Sequence, residues 1–150
     1  MLKKLSIYAL IAGAMPLGGI ALADNPPTVP VSVTLTIPNG ANADAAYQDH
    51  TYTFYYCTTS GCNGTLTPIG QPLYENINGS IMGNTHPSID LSSSISILYA
   101  EVVVSAGLPG VKETTDISGT YISNQPFSVA SGSLPITFDP LHSPTWTIVK

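Results

Sequence analysis

Between Val29 and Ile37 a large aliphatic side chain falls on every second position, with Pro30, Ser32, Thr34 and Thr36 in between. A period of two places Val29, Val31, Val33, Leu35 and Ile37 on one face of an extended chain, which predicts a strand with one side in a core. Pro38-Asn39-Gly40 ends it as a turn. The stretch from His50 to Cys57 has the same period with larger residues: Tyr52, Phe54 and Tyr56 share one face, and Thr51, Thr53 and Tyr55 the other. Aromatic and β-branched residues favour a pleated surface, so a second strand is expected there. It leads into a tight turn, after which Asn63-Gly64 lets Thr65 to Ile69 return as a hairpin arm.

A third run, Ile95 to Ser105, is apolar on both sides. Leu98, Ala100, Val102 and Val104 lie on one face, and Ile95, Ile97, Tyr99 and Val103 on the other with Glu101 among them. This predicts a central strand covered on both faces, or one that changes partners at a bulge. Residues 39–49 read as a long loop or one helical turn, and Lys112, Glu113 and Asp116 as part of an exposed connection. From Gly70 to Ser94 only short strands are expected, with Leu73 and Tyr74 as core contacts. Four further short strands follow: Ile117–Ser123, Phe127–Ala130, Leu134–Phe138 and Thr145–Val149.

No full-length amphipathic helix and no long internal repeat interrupts this series. About seven to nine short strands separated by turn residues predict an all-β fold, an antiparallel β-sandwich of immunoglobulin-like or jelly-roll arrangement, with a barrel as the lesser alternative.

The amino-terminal end has a different pattern. Lys3 and Lys4 precede an apolar run from Leu5 to Met15, a helix-breaking Pro16-Leu17-Gly18-Gly19, and the small-residue site Ala21-Leu22-Ala23. That order reads as a secretory signal peptide, residues 1–23, cleaved after Ala23. It falls short of the roughly 20 continuous apolar residues that span a bilayer, so no membrane anchor is expected after cleavage. Residues 24–30 form a proline-rich lead-in, and 31–150 one domain. The expected location is periplasmic or secreted.

Cleavage changes the charge. All nine acids remain, against only Lys112 and Lys150, and the chain contains no arginine. No nucleic-acid partner is expected on this ground, and anionic lipid is a poor candidate, since both need clustered cations. Cys57 and Cys62 enclose four residues, and in an oxidising compartment such a pair reads as a disulfide. A ring so small contributes only about 2 kcal/mol by loop entropy and pins a local turn. Antibody-type domains instead bridge distant strands across the sandwich. A redox pair normally has two residues between its cysteines, and a half zinc site would need paired ligands that His50 and His86 do not provide.

No nucleophile elbow, phosphate loop or zinc-protease helix is present. His50, His86 and His142 stand far apart, although a Ser-His-Asp triad needs no fixed order. No resident cofactor is implied. Calcium is the tolerant alternative, with Asp44 and Asp49 flanking one candidate loop and Asp116 or Asp139 another; without EF-hand spacing these acids read more simply as solvated turn residues. Tyr47, Tyr55, Tyr121 and Trp146 are candidates for a ligand-stacking platform, although Trp146 alternates with Thr145 and Thr147 in phase with Ile148, as a core residue would. Asn63-Gly64-Thr65 and Asn78-Gly79-Ser80 are glycosylation sequons only in a eukaryotic pathway, and otherwise Asn-Gly turns.

The expectation is therefore an exported, non-enzymatic β-sandwich that binds a surface, glycan or protein partner, alone or within an extracellular assembly. Two alternatives stand beside it. One is a small secreted inhibitor presenting Thr58, Thr59 and Ser60 on the disulfide-closed loop; the other is a secreted hydrolase with an unannounced triad.

Overall fold

The computed structural model describes residues 26–38, 50–75, 80–105 and 117–149. The expected signal peptide, the 39–49 loop and the connection carrying Lys112, Glu113 and Asp116 fall outside them. The described residues form eleven strands: β1 (Thr28–Thr36), β2 (Thr51–Cys57), β3 (Thr67–Pro68), β4 (Leu73–Glu75), β5 (Ile81–Met82), β6 (Ser88–Ser92), β7 (Ile97–Ser105), β8 (Gly119–Ser123), β9 (Phe127–Ser128), β10 (Ser133–Thr137) and β11 (Trp146–Val149). The fold is an all-β sandwich. The strand count exceeds the expected seven to nine because the segment from Gly70 to Ser94, read only as short strands and loops, holds three, β4, β5 and β6.

The smaller sheet has the order β10-β1-β6, and the larger runs β11-β8-β7-β2-β4-β5, with β3 also beside β2 and β9 beside β7. β1 changes partner at Ser32. Its first half, Thr28–Ser32, lies antiparallel to β6, and its second half, Ser32–Thr36, runs parallel to β10. This parallel pair is the exception in an otherwise antiparallel structure. The predicted alternation holds from Val31 onward, since Val31, Val33, Leu35 and Ile37 are buried. Val29 has the same phase yet is 42% exposed, because β10 begins only opposite Ser32 and leaves the start of β1 without a neighbour on that side.

β7 is central in its sheet, but only one of its faces is covered. Leu98, Ala100, Val102 and Val104 are buried, whereas Tyr99, Glu101 and Val103 are half-exposed and Ile97 is exposed. The expected change of partner does occur. Along one edge β7 pairs with β9 at Ile97–Leu98 and with β8 at Glu101–Val104. Between the two, the Ala100 N–H donates to the Ser123 hydroxyl at 2.9 Å. A buried amide must find an acceptor, and here a side chain replaces the missing strand.

Phe138, fully buried just after β10, ties the two sheets together. Its ring meets those of Trp146, Tyr121, Tyr52 and Phe54 at centroid distances of 5.0, 5.2, 6.0 and 6.2 Å, all edge-on. Such T-shaped contacts suit the positive ring edge and negative ring face. With the aliphatic residues of β1, β6, β7 and β10 they form one core cluster. Leu73 is fully buried as expected, while Tyr74 is only half-buried.

Candidate binding face

Alternation sends the other half of each strand outward, and on the larger sheet that outer half is unusual. Tyr55 of β2 stands opposite Glu101 of β7, Glu101 opposite Ile122 of β8, and Ile122 opposite Thr147 of β11. A second row runs Thr53, Val103, Thr120 and Val149. Directly opposed side chains in such ladders have their Cβ atoms about 5 Å apart, so each row is a continuous surface. Tyr99 precedes Glu101 by two positions on the same face and lies opposite Cys57.

The disulfide closes over this end of the face. Cys57 and Cys62 are bonded, with 5.4 Å between their Cα atoms. The short turn Ser60–Cys62 uses Gly61 at φ +73°, where a glycine meets no Cβ penalty, and Cys62 itself sits at φ +48°. The Cys62 N–H donates to the Thr59 carbonyl at 3.1 Å. Thr58, Thr59 and Ser60 are exposed. Ser60, Gly61 and Asn63 form one wall of a depression of about 350 Å³ that opens onto Ile122, Thr147 and Val149. Asn124, also in that lining, is held in one orientation: its Oδ1 accepts from the Thr147 hydroxyl at 2.7 Å, and its Nδ2 donates to the Pro144 carbonyl at 2.9 Å. Apolar floor and neutral hydrogen-bonding wall are the usual mixture for ligand recognition.

Glu101 is the one charged residue in these rows. Desolvation pushes its carboxyl above the ordinary glutamate value of 4.5. Among the described residues there is no lysine or arginine.

Of the four aromatic residues expected to form a platform, the three that are described do not share a face. Tyr55 lies on the outer face, half-buried. Tyr121 and Trp146 are each only 7% exposed and belong to the core; the Tyr121 hydroxyl donates to the Ile117 carbonyl at 2.8 Å and the Trp146 indole N–H to the Thr137 carbonyl at 3.0 Å. Their strand phase turns them inward under Phe138, which removes both from any surface platform. Tyr47, Asp44 and Asp49 lie outside the described residues. Among the described residues no group of three or more His, Cys, Asp or Glu side chains is placed to hold a metal ion.

The histidines have separate settings. His50 is fully buried. It belongs to a polar cluster inside the larger sheet, in which the Glu75 N–H donates to the His50 carbonyl at 2.9 Å and the Tyr52 hydroxyl donates to Glu75 Oε2 at 2.6 Å. His86 is exposed and meets the neighbouring Thr85 hydroxyl at 3.0 Å. His142 Nδ1 lies 3.1 Å from Asp139 Oδ1, and the same oxygen accepts the His142 backbone N–H at 3.0 Å, so the pair caps a turn. The adjacent Ser143 hydroxyl pairs with Thr145 at 2.7 Å instead of the imidazole. A second depression, about 390 Å³, lies beside β10 and is lined by Phe127, Pro135, Thr137 and Asp139 among others. Its polar wall is formed largely by these turn groups, which already bond one another.

Comparison with protein-family models, with curated proteins and with solved structures finds no match to this chain. The described residues include no helix long and apolar enough to cross a membrane.

Sequence pattern had marked Glu101 as the acid inside an apolar face without assigning it a role. Glu75 carried no signal at all, because a short strand between Pro72 and the 76–79 segment shows no period from which burial could be read.

Proposed function

We infer that the chain is an exported binding protein whose larger sheet presents its outer face to a partner outside the cytoplasm. The observation that carries this reading is the row Tyr55, Glu101, Ile122 and Thr147. Large apolar and aromatic groups occupy outward positions where solvated strands ordinarily place small polar ones, and a disulfide-pinned wall borders them. Exposed apolar surface rimmed by polar groups is a feature of interaction sites. The apolar leader, the disulfide and the near absence of cations after cleavage fit a protein that works beyond the membrane.

A screen of the purified chain against immobilised glycans and extracellular proteins tests this. A hit is expected to shift the amide resonances of β2, β7 and β8 on their outward positions. Hits that map to the smaller sheet, or a monomeric chain that binds nothing in either screen, would contradict the reading.

The inhibitor alternative has one observation in its favour, the exposure of Thr58, Thr59 and Ser60 on a closed ring. It differs in where the contact lies: an inhibitor would engage the loop tip, and substitution of Ile122 would leave it unaffected.

A further inference from the structure

The face inferred above contains a carboxylate in a setting that ordinary surface acids avoid. Glu101 has Tyr55 directly across on β2, Ile122 directly across on β8, and Tyr99 two residues earlier on its own strand and on the same side. All four are half-buried. Partial burial among aromatic and aliphatic groups disfavours the ionised form, in line with the raised pKa of this side chain. A carboxylate placed so is compensated when a cation reaches it, and the described residues contain no lysine or arginine that could do so.

Resting on the binding-face reading, we propose that Glu101, Tyr55 and Tyr99 form a receiving site for an arginine side chain of a protein partner. A guanidinium suits all three groups. Its planar fork pairs with a carboxylate through two hydrogen bonds, and its flat face stacks on a tyrosine ring, where the π-system attracts the cation. It is also less strongly hydrated than an ammonium, so bringing it onto an apolar surface costs less. Neutral sugars offer no charge to the carboxylate. A second copy of this chain is not the occupant, because the sequence contains no arginine.

The test uses two short extended peptides with acetylated and amidated ends, Thr-Val-Arg-Val-Thr and its counterpart with citrulline in place of arginine. Citrulline keeps the shape and most of the hydrogen bonding while removing the charge. Titration of the purified chain, followed by amide NMR, is expected to shift Tyr55, Tyr99, Glu101 and Ile122 with the arginine peptide, and to show about tenfold weaker binding with citrulline. Glu101→Gln, a near-isosteric change at a half-exposed site, should bring the arginine peptide down to the citrulline level. A thermal melt of that variant confirms that the fold is intact. Equal affinity of both peptides, or undiminished binding by Glu101→Gln, overturns the arginine site while leaving the face as the binding surface. Shifts confined to other surfaces, or none with either peptide, also overturn it, and the glycan and protein screen then decides the face independently.

Discussion

The two outer faces of the sandwich obey the same alternation and end with opposite characters. On the smaller sheet the outward positions of β1 are Thr28, Pro30, Ser32, Thr34 and Thr36, opposed by Ser88, Asp90 and Ser92 on one side and Ser133, Pro135 and Thr137 on the other. On the larger sheet the equivalent positions include Tyr55, Tyr99, Val103, Ile122 and Val149. Small hydroxylated residues are what a solvated strand face needs for solubility. Prolines at Pro30 and Pro135 further deprive the smaller sheet of donors for unwanted pairing. The larger sheet interleaves Thr53, Thr120 and Thr147 with half-exposed aromatic and aliphatic groups that contribute little to the core, and Pro68 of β3 stands opposite Tyr55. A partner covering them, as the proposed function has it, would account for their placement. One outer face is small and hydroxylated, and the other mixes threonines with larger apolar and aromatic groups.

The comparison presumes that both faces belong to one cooperative body, and the largest expected effect tests this. Phe138→Ala removes the ring on which Tyr52, Phe54, Tyr121 and Trp146 converge, and should cost about 3–5 kcal/mol in denaturant unfolding. Probes on the two sheets should still lose structure at one midpoint; separate transitions would divide the molecule into independent halves. Next in size is the disulfide. Replacing both Cys57 and Cys62 by serine should lower stability by about 2 kcal/mol and leave the circular dichroism spectrum β-type, because the ring closes only a local turn. Binding by the larger sheet should weaken as its wall loosens. A globally unfolded variant would show that the bridge staples the whole fold.

A smaller effect, with the opposite sign, is expected at Glu101. Its pKa is raised by burial, so the folded chain holds this proton more tightly than the unfolded chain does. The contribution to stability is therefore greatest below the ordinary value of 4.5 and declines as pH rises through the raised one. Glu101→Gln should abolish that decline, leaving the variant as stable as the parent or slightly more so at neutral pH, and stability curves of the two from pH 3 to pH 8 would show it. A variant that is less stable than the parent at neutral pH would mean that Glu101 serves the fold and not a partner.

Much of the fold was legible because a period of two is a geometric signal. Val31 to Ile37, Tyr52 and Phe54, and Leu98 to Val104 are buried as their alternation requires, and the spacing of Cys57 and Cys62 predicted their bridge. Phase, however, tells which side of a strand a residue takes and not what lies opposite. Trp146 and Ile148 share a phase on β11, yet Trp146 reaches Phe138 while Ile148 is 49% exposed, at the margin of the wider sheet. For the same reason the pattern left β7 open between a strand covered on both faces and one that changes partners; one face is covered, and its partner changes from β9 to β8. The parallel pairing of β1 with β10 joins segments about a hundred residues apart and leaves no local mark. Of the proposed face, the outward phase of Tyr55 and the closed loop follow from the sequence pattern. The row through Glu101 and Ile122 depends on cross-strand register, which a linear pattern does not contain.

The most direct test of the contrast between the faces is a matched pair of lysine variants, Thr34→Lys on the smaller sheet and Ile122→Lys on the larger. Both are outward positions on paired strands, and both should change stability by no more than about 0.5 kcal/mol. Measured against the ligand or partner recovered from the screen, Thr34→Lys is predicted to bind like the parent, and Ile122→Lys to lose at least about tenfold in affinity, because the new ammonium stands directly opposite Glu101 and occupies the carboxylate meant for the partner. Loss of binding by Thr34→Lys with full retention by Ile122→Lys would contradict the account.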